Sequence, residues 1–319
     1  MTATDNVSKP ASISPSFITV MKGLFKTMRP HQWTKNVIIF AGIVFDRQLG
    51  NTQALITVTI SFLLLCLIAG SVYIINDLAD VNADRQHPRK SKRPIPSGQL
   101  PIPIARFAAV LIPLVTLGAA FTVNRALAVV LAVYFLLQLL YSFKLKHVVL
   151  IDLVVIVLGF LLRVGAGVLV ISVDRFSPWL YACTATLALF LIVGKRRQEL
   201  LLLAEKAGNV RVTLDQYNLP LLDELLRVSV VCTMLTYLFY TVEAPSPLVA
   251  GTNLALVTVP FVWYGIARYL YLIHVKNEGS APDELLLKDR HLQISIGLWA
   301  LACLVIIYLT PNVIGVMPS

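Results

Sequence analysis

The chain has 319 residues, 57% of them hydrophobic and only 14% charged, and its mean hydropathy is +0.77. These values exclude an ordinary soluble domain and place the chain among integral membrane proteins. Its 27 Lys and Arg against 17 Asp and Glu give a net charge of +10, which suits anionic lipid headgroups or anionic substrates; so little aqueous surface makes nucleic acid a poor partner.

The first 20 residues lack a leader-like apolar run and are predicted to form a disordered tail, with residues 21–319 as one transmembrane domain. Apolar runs able to cross a hydrocarbon core of about 30 Å are Asn51–Ile75, Ile102–Val123, Leu127–Phe143, Val148–Val173, Pro178–Gly194, Leu221–Val242, Leu248–Ile273 and Leu292–Ile314. A shorter run, Trp33–Phe45, brings the expectation to about nine spans in an all-α membrane protein. The four cysteines, Cys66, Cys183, Cys232 and Cys303, fall singly inside apolar runs and suggest neither a disulfide framework nor a zinc site. With a cytoplasmic N-terminus, all 27 basic residues except Arg47, Arg125, Arg175 and the intramembrane Arg163 lie on the cytoplasmic side, so the positive-inside rule orients the chain in the plasma membrane with its polar loops inward.

The densest polar stretch runs from Asn76 to Pro103 and follows an apolar run directly. Asn76, Asp80 and Asp84 recur at i, i+4 and i+8, with Asp77 in reach, so a continuing helix would project oxygen ligands along one stripe. Such carboxylates repel one another at a membrane surface unless a cation bridges them, and hard oxygen ligands suit Mg²⁺ shared with phosphate oxygens. Arg85, His87, Arg89, Lys90, Lys92 and Arg93 follow, and Pro88, Pro94, Pro96 and Gly98 are placed to fold this basic arm back over the aspartates. The competing reading is an acidic helix end neutralised by a basic loop.

A second polar connection carries Tyr141, Ser142, Lys144, Lys146 and His147, with Asp152 opening the next span. An interfacial carboxylate is a functional candidate by default, here with the lysines as expected partners. Arg163 lies about 16 Å deeper on the same helix, either bridging helices or facing a polar cavity. Lys195, Arg196 and Glu199 open a third connection, and Glu284, Lys288, Asp289 and Arg290 a fourth; taken alone both read as ordinary i, i+4 surface pairs, and their common membrane face is what raises them. Arg29, Lys35 and Asn36 flank Trp33 at the entry to the first run, where Trp33 reads as an interfacial anchor and the cations can reach a phosphate.

The motif Asn76-Asp77-x-x-Asp80-x-x-x-Asp84-Arg85, the following Arg93-Pro94-Ile95-Pro96-Ser97-Gly98, the Tyr141–Asp152 connection and the spacing of the runs together resemble the UbiA-type membrane prenyltransferase superfamily. The resemblance implies nine transmembrane helices around a central polar cavity open to the cytoplasm, and Mg²⁺ handling a diphosphate. Asp152 lacks the second carboxylate of an aspartate pair, and the wider set of Arg29 to Asn36, Asp84 to Lys90, Lys144 to His147, Gly194 to Leu200 and Asp289-Arg290 is similar to one branch, the decaprenyl-phosphate phosphoribosyltransferases.

That branch implies transfer of 5-phosphoribose from phosphoribosyl diphosphate to a polyprenyl phosphate, feeding arabinan synthesis in the cell envelope, by a homo-oligomer. In these terms Asn76, Asp77, Asp80 and Asp84 are the expected metal ligands and Asp80, Asp84 and Asp152 the catalytic candidates. Arg29, Lys35, Asn36, Asp77, Arg85, Lys90, Arg93, Tyr141, Lys144, Lys146, Arg163, Lys195, Arg196, Asp289 and Arg290 are the substrate-binding candidates. The alternatives are a prenyltransferase acting on an aromatic or quinone-like acceptor and a transporter with Asp152 and Arg163 on its path, although the sequence shows no internal duplication.

Overall fold

A computed structural model of the chain describes residues 16–171, 177–205, 216–243, 248–249, 252–278 and 282–309. Apart from a two-residue hairpin, Leu248–Val249 with Thr252–Asn253, the described residues are helical or loop. The α-helices are α1 (Phe17–Thr27), α2 (Ala41–Phe45), α3 (Thr52–Ala79), α4 (Val81–Gln86), α5 (Ile102–Val123), α6 (Arg125–Phe143), α7 (Ile151–Leu169), α8 (Pro178–Glu205), α9 (Leu219–Glu243), α10 (Val259–His274), α11 (Pro282–Lys288) and α12 (Arg290–Leu304).

Eight helical segments among the described residues are long and apolar enough to cross a membrane: α3, α5, α6, α7, Pro178–Leu202, α9, Leu254–His274 and Arg290–Leu309. The ninth expected run folds differently, as a 3₁₀ helix over Pro30–Phe40 followed by α2. A 3₁₀ helix rises about 2.0 Å per residue against about 1.5 Å for an α-helix, so this short stretch extends on the order of 30 Å. Residues 17–20, expected to belong to a disordered tail over residues 1–20, are helical. Ser16 caps α1 by accepting from the Thr19 amide, and helix begins at Phe17, while residues 1–15 and Arg175 lie outside the described residues.

Two compact units divide the chain: Met1–Thr34 with Cys66–Thr116, and Lys35–Leu65 with Leu117–Ser319. The core of the first joins Val20 and Met28 to Ile74 of α3, Ile95 and Leu100 of the loop, and Ala105, Ala108 and Ala109 of α5. Gly70 makes room for Met28, whose side chain would lie within 3.0 Å of any Cβ there. Ile95 and Leu100 are buried, and the Leu100 amide donates to the Pro94 carbonyl, so the proline-rich loop is a packed element rather than a free arm.

In the second unit, Leu153 of α7, Phe190 and Val193 of α8, Leu222 and Leu226 of α9, Tyr269 and Ile273 of α10 and Leu292 of α12 form the core. An apolar cavity of about 310 Å³ lies among α8, α9, α10 and α12. On its wall Trp299 donates to Tyr237, and Ser295 to the Phe261 carbonyl. The 3₁₀ segment touches α7 backbone to backbone, since a Cβ on Gly167 would lie 1.8 Å from the Ile39 carbonyl oxygen. Gly167→Ala is therefore expected to destabilise the protein by about 3 kcal/mol, the upper end of ordinary overpacking. Gly118→Ala, inside α5 where a Cβ meets open space, serves as the clash-free control and should stabilise by up to about 1 kcal/mol through helix propensity. Thermal unfolding in detergent checks this pair; equal melting temperatures would show that the backbones do not meet.

Candidate active site

The first unit gathers the aspartate motif. Helical hydrogen bonds continue from Asp80 N–H to the Asn76 carbonyl and from Asp84 N–H to Asp80, but the backbone at Asp80 (φ −92°, ψ 4°) separates α3 from α4. The expected single stripe of Asn76, Asp80 and Asp84 is thus replaced by a different grouping. Asp77 and Asp84, seven residues apart and so two helical turns removed, are 2% and 1% exposed; Asp80 faces outward and Asn76 is half-buried.

Arg93 joins the buried pair. Its Nη1 lies 3.2 Å from Asp77 Oδ1 and 2.7 Å from Asp84 Oδ2. Arg29 Nη2 lies 2.7 Å from Asp77 Oδ1, its guanidinium stacked over the Tyr73 ring at 4.6 Å, and Lys90 Nζ lies 3.7 Å from Asp84 Oδ1. Arg29 adopts φ 53°, a left-handed conformation uncommon outside glycine, immediately before Pro30. His87 Nδ1 accepts from the Arg89 and Lys90 amides and so shapes the turn that brings the basic arm round. Arg85 is exposed and makes no ion pair among the described residues.

The second unit gathers a different network. Asp152 and Arg196, 1% and 2% exposed, form a buried ion pair with Arg196 Nε 3.1 Å from Asp152 Oδ2. Tyr217 donates to Asp152 Oδ1 at 2.7 Å. Arg196 also reaches Glu199 Oε2 at 2.6 Å and Tyr141 Oη at 3.3 Å, and Lys195 lies 3.9 Å from Glu199. The expected lysine partners of Asp152 are therefore replaced by Arg196, whose planar fork can serve several acceptors at once. Both Asp152 oxygens are met by protein donors, Oδ2 by Arg196 Nε and Oδ1 by the Tyr217 hydroxyl. Lys144 is exposed and Lys146 half-buried on the short 3₁₀ turn Leu145–His147. Burial first, and then the hydrogen bond to Asp152, push the Tyr217 hydroxyl well above its ordinary pKa, so it stays a donor.

Arg163 is a bridge between elements. Nε donates to Asn36 Oδ1 at 2.8 Å, Nη1 to the Gly159 carbonyl at 2.8 Å and Nη2 to Tyr134 Oη at 2.7 Å, with Tyr134 and Phe160 rings beside it. Asn36 is buried and oriented toward Arg163, and Lys35 is half-buried. Asp289 caps α12 by accepting from the Leu292 amide and is gripped through both oxygens by Arg268. The Arg268 hydrogen bonds hold its carboxyl below the usual range. Asp289 thus has a local structural task, whereas Arg290 is exposed. The Glu284 side chain lies outside the described residues.

Three comparisons bear on this arrangement. The description "UbiA prenyltransferase family" matches residues 37–288. The chain belongs to the UbiA prenyltransferase family. It is 33% identical over 294 residues to a protein of Corynebacterium glutamicum named decaprenyl-phosphate phosphoribosyltransferase, covering 91% of this chain and 88% of that one. A protein of the same name from Mycobacterium tuberculosis is 31% identical over 289 residues, covering 88% and 92%. Among solved structures, a UbiA homolog from Archaeoglobus fulgidus bound to DMAPP and Mg²⁺ superposes with a TM-score of 0.66 at 15% identity, covering 90% of this chain and 99% of that one. A digeranylgeranylglyceryl phosphate synthase superposes equally well, with a TM-score of 0.66.

Within this UbiA-family fold the aspartate pair satisfies the chemical requirement for a hard cation. Two buried carboxylates converge on one cationic nitrogen, Arg93 Nη1, and both donors are oxygen. No group of three or more His, Cys, Asp or Glu able to hold a metal occurs among the described residues. Mg²⁺ is commonly held by one or two carboxylates and completed by substrate phosphates and water.

The buried Asp152–Arg196 pair yields a stability prediction. Removing either partner strands the other charge, so Asp152→Ala and Arg196→Ala should each cost about 3–5 kcal/mol, and the double variant much less than their sum. Detergent melts of the four proteins test it. Additive losses would show that the two groups are not coupled.

Proposed function

We propose that this UbiA-family protein transfers 5-phosphoribose from phosphoribosyl diphosphate to a polyprenyl phosphate of decaprenyl type, releasing diphosphate for an envelope arabinan precursor pathway. The observation that carries the reading is the pair of relatives named decaprenyl-phosphate phosphoribosyltransferase, each matched over about nine-tenths of its length. The residues support it: one aspartate motif with Arg29, Arg85, Lys90 and Arg93 around it, and further cations at Lys144 and Lys146, suits substrates that bring several phosphates. We read Pro30–Phe45 as a ninth span, and the polar connections as facing the cytoplasm by the positive-inside rule.

Asp77 and Asp84, with Asn76 and Asp80 at the adjacent kink, would hold Mg²⁺. When bound, the ion supplies positive charge to the diphosphate leaving group. Arg93 and Arg29 restrain the carboxylates and, with Arg85 and Lys90, present donors to phosphate oxygens, Arg through paired hydrogen bonds and Lys as a point charge. The acceptor's phosphate oxygen attacks the anomeric carbon from the face opposite the diphosphate. A carbon–oxygen bond to the acceptor forms as that to diphosphate breaks, and diphosphate leaves with the electron pair. The acceptor oxygen is already anionic, so no general base is required, and catalysis rests on positioning and charge stabilisation. The apolar chain of the acceptor suits a lipid-facing or dry protein surface such as the cavity among α8, α9, α10 and α12.

Labelled phosphoribosyl diphosphate, Mg²⁺ and polyprenyl phosphate should give lipid-linked phosphoribose with inverted anomeric configuration by NMR. Net retention would rule out the single displacement. Prenyl transfer to an aromatic acceptor instead would replace the reading with its runner-up. Asp77→Asn and Asp84→Asn should each lower turnover by about a hundredfold and raise the Mg²⁺ requirement by at least about tenfold. Normal turnover at limiting Mg²⁺ would remove both residues from the metal site.

A further inference from the structure

Leu150 occupies φ 65°, ψ −38°, a conformation costly for a branched side chain, directly before α7. Its side chain is 47% exposed, so packing does not repay that cost. The backbone is held instead by Tyr217, which lies 67 residues away: the Leu150 amide donates to Tyr217 Oη at 2.8 Å. The same hydroxyl donates to Asp152 Oδ1 at 2.7 Å, and the Tyr217 ring is part of the buried core with Leu153 and Leu222. One phenol therefore fixes the strained residue and the first-turn carboxylate together. Immediately upstream is the turn that carries Lys144 and Lys146, closed by the His147 amide on the Lys144 carbonyl and the Val148 amide on Leu145. Lys144 is exposed and makes no ion pair among the described residues. Strained backbone that surrounding structure holds in place is a recurrent feature of ligand-binding sites.

We propose that Tyr217 is a positioning residue: its hydroxyl ties the strained Leu150 backbone to Asp152 and so holds the Lys144–His147 turn ready for a phosphate or diphosphate group of a substrate. This rests on the phosphoribosyl transfer proposed above for the identity of the anion. The tie itself rests on geometry alone.

Tyr217→Phe keeps the ring in the core and deletes both hydrogen bonds. The expected result is a KM raised about tenfold for one phosphate substrate, with kcat within about twofold. Whether the donor's or the lipid's KM moves identifies which phosphate the turn serves. Glycine adopts positive φ without strain, so Tyr217→Phe/Leu150→Gly should return KM to within about twofold of the parent, and Leu150→Gly alone should leave it there. In hydrogen exchange, the His147 and Val148 amides should exchange faster in Tyr217→Phe and regain protection in the double variant.

Unchanged KM for both substrates in Tyr217→Phe, or no rescue by Leu150→Gly, would overturn the positioning role. A raised KM in Leu150→Gly alone would assign the effect to the leucine side chain and overturn it too. Should the parent show no phosphoribosyl transfer, the functional reading fails separately, and exchange then decides the tie: unaltered exchange in Tyr217→Phe would refute it.

Discussion

Buried negative charge at the ends of membrane helices is the constraint around which both polar clusters are built. Asp77, Asp84 and Asp152 are all nearly inaccessible, where a bare carboxylate would be strongly disfavoured. Each is met by arginine: Asp77 by Arg29 and Arg93, Asp84 by Arg93, and Asp152 by Arg196. Such pairs contribute little net stability compared with an apolar replacement, because desolvation offsets most of the attraction. Their presence makes more sense as the maintenance of charge in a defined place.

The two clusters use that device differently. Around Asp77 and Asp84 the cations come from an arm and a helix end that are themselves partly exposed, with Arg29 and Arg93 side chains 28% and 31% accessible. Under the proposed function, these partly open ion pairs would leave Asp77 and Asp84 able to hold a metal and Arg29 and Arg93 able to meet phosphate oxygens. Arg196, by contrast, is as buried as the carboxylate it serves and is also committed to Glu199 and Tyr141. That network ties α6, α7 and α8 together. The chain belongs to the UbiA prenyltransferase family, and the proposed phosphoribosyl transfer rests on the name its relatives share.

Membrane class, most span positions and the aspartate motif were legible in the sequence because each is local: apolar run length, spacing along one helix, and a proline-rich return. The burial pattern is not that of a single stripe: Asp77 and Asp84 are buried and share Arg93, while Asp80, at the break between α3 and α4, is exposed. The short run Trp33–Phe45, expected as a ninth span, is not among the eight helices long and apolar enough to cross a membrane, because much of it folds as a 3₁₀ helix, which covers distance with fewer residues than an α-helix. Arg196 and Tyr217 meet Asp152 from 44 and 65 residues away through helix packing, and no period in the sequence announces such a meeting. The lysines adjacent to Asp152 in sequence were the misleading neighbours. Arg163 was legible as a buried intramembrane cation, but its choice of Asn36 and Tyr134 as neutral partners was not.

Under the proposed function Asp77 and Asp84 would hold a metal that also meets the donor's phosphates, so metal and donor should bind together. Electron paramagnetic resonance with Mn²⁺ in place of Mg²⁺ tests this most directly. Weak Mn²⁺ binding to the protein alone, tightening on addition of phosphoribosyl diphosphate with a resolved coupling to phosphorus, is the result predicted. Tight Mn²⁺ binding without the donor, or donor binding indifferent to the metal, would contradict it.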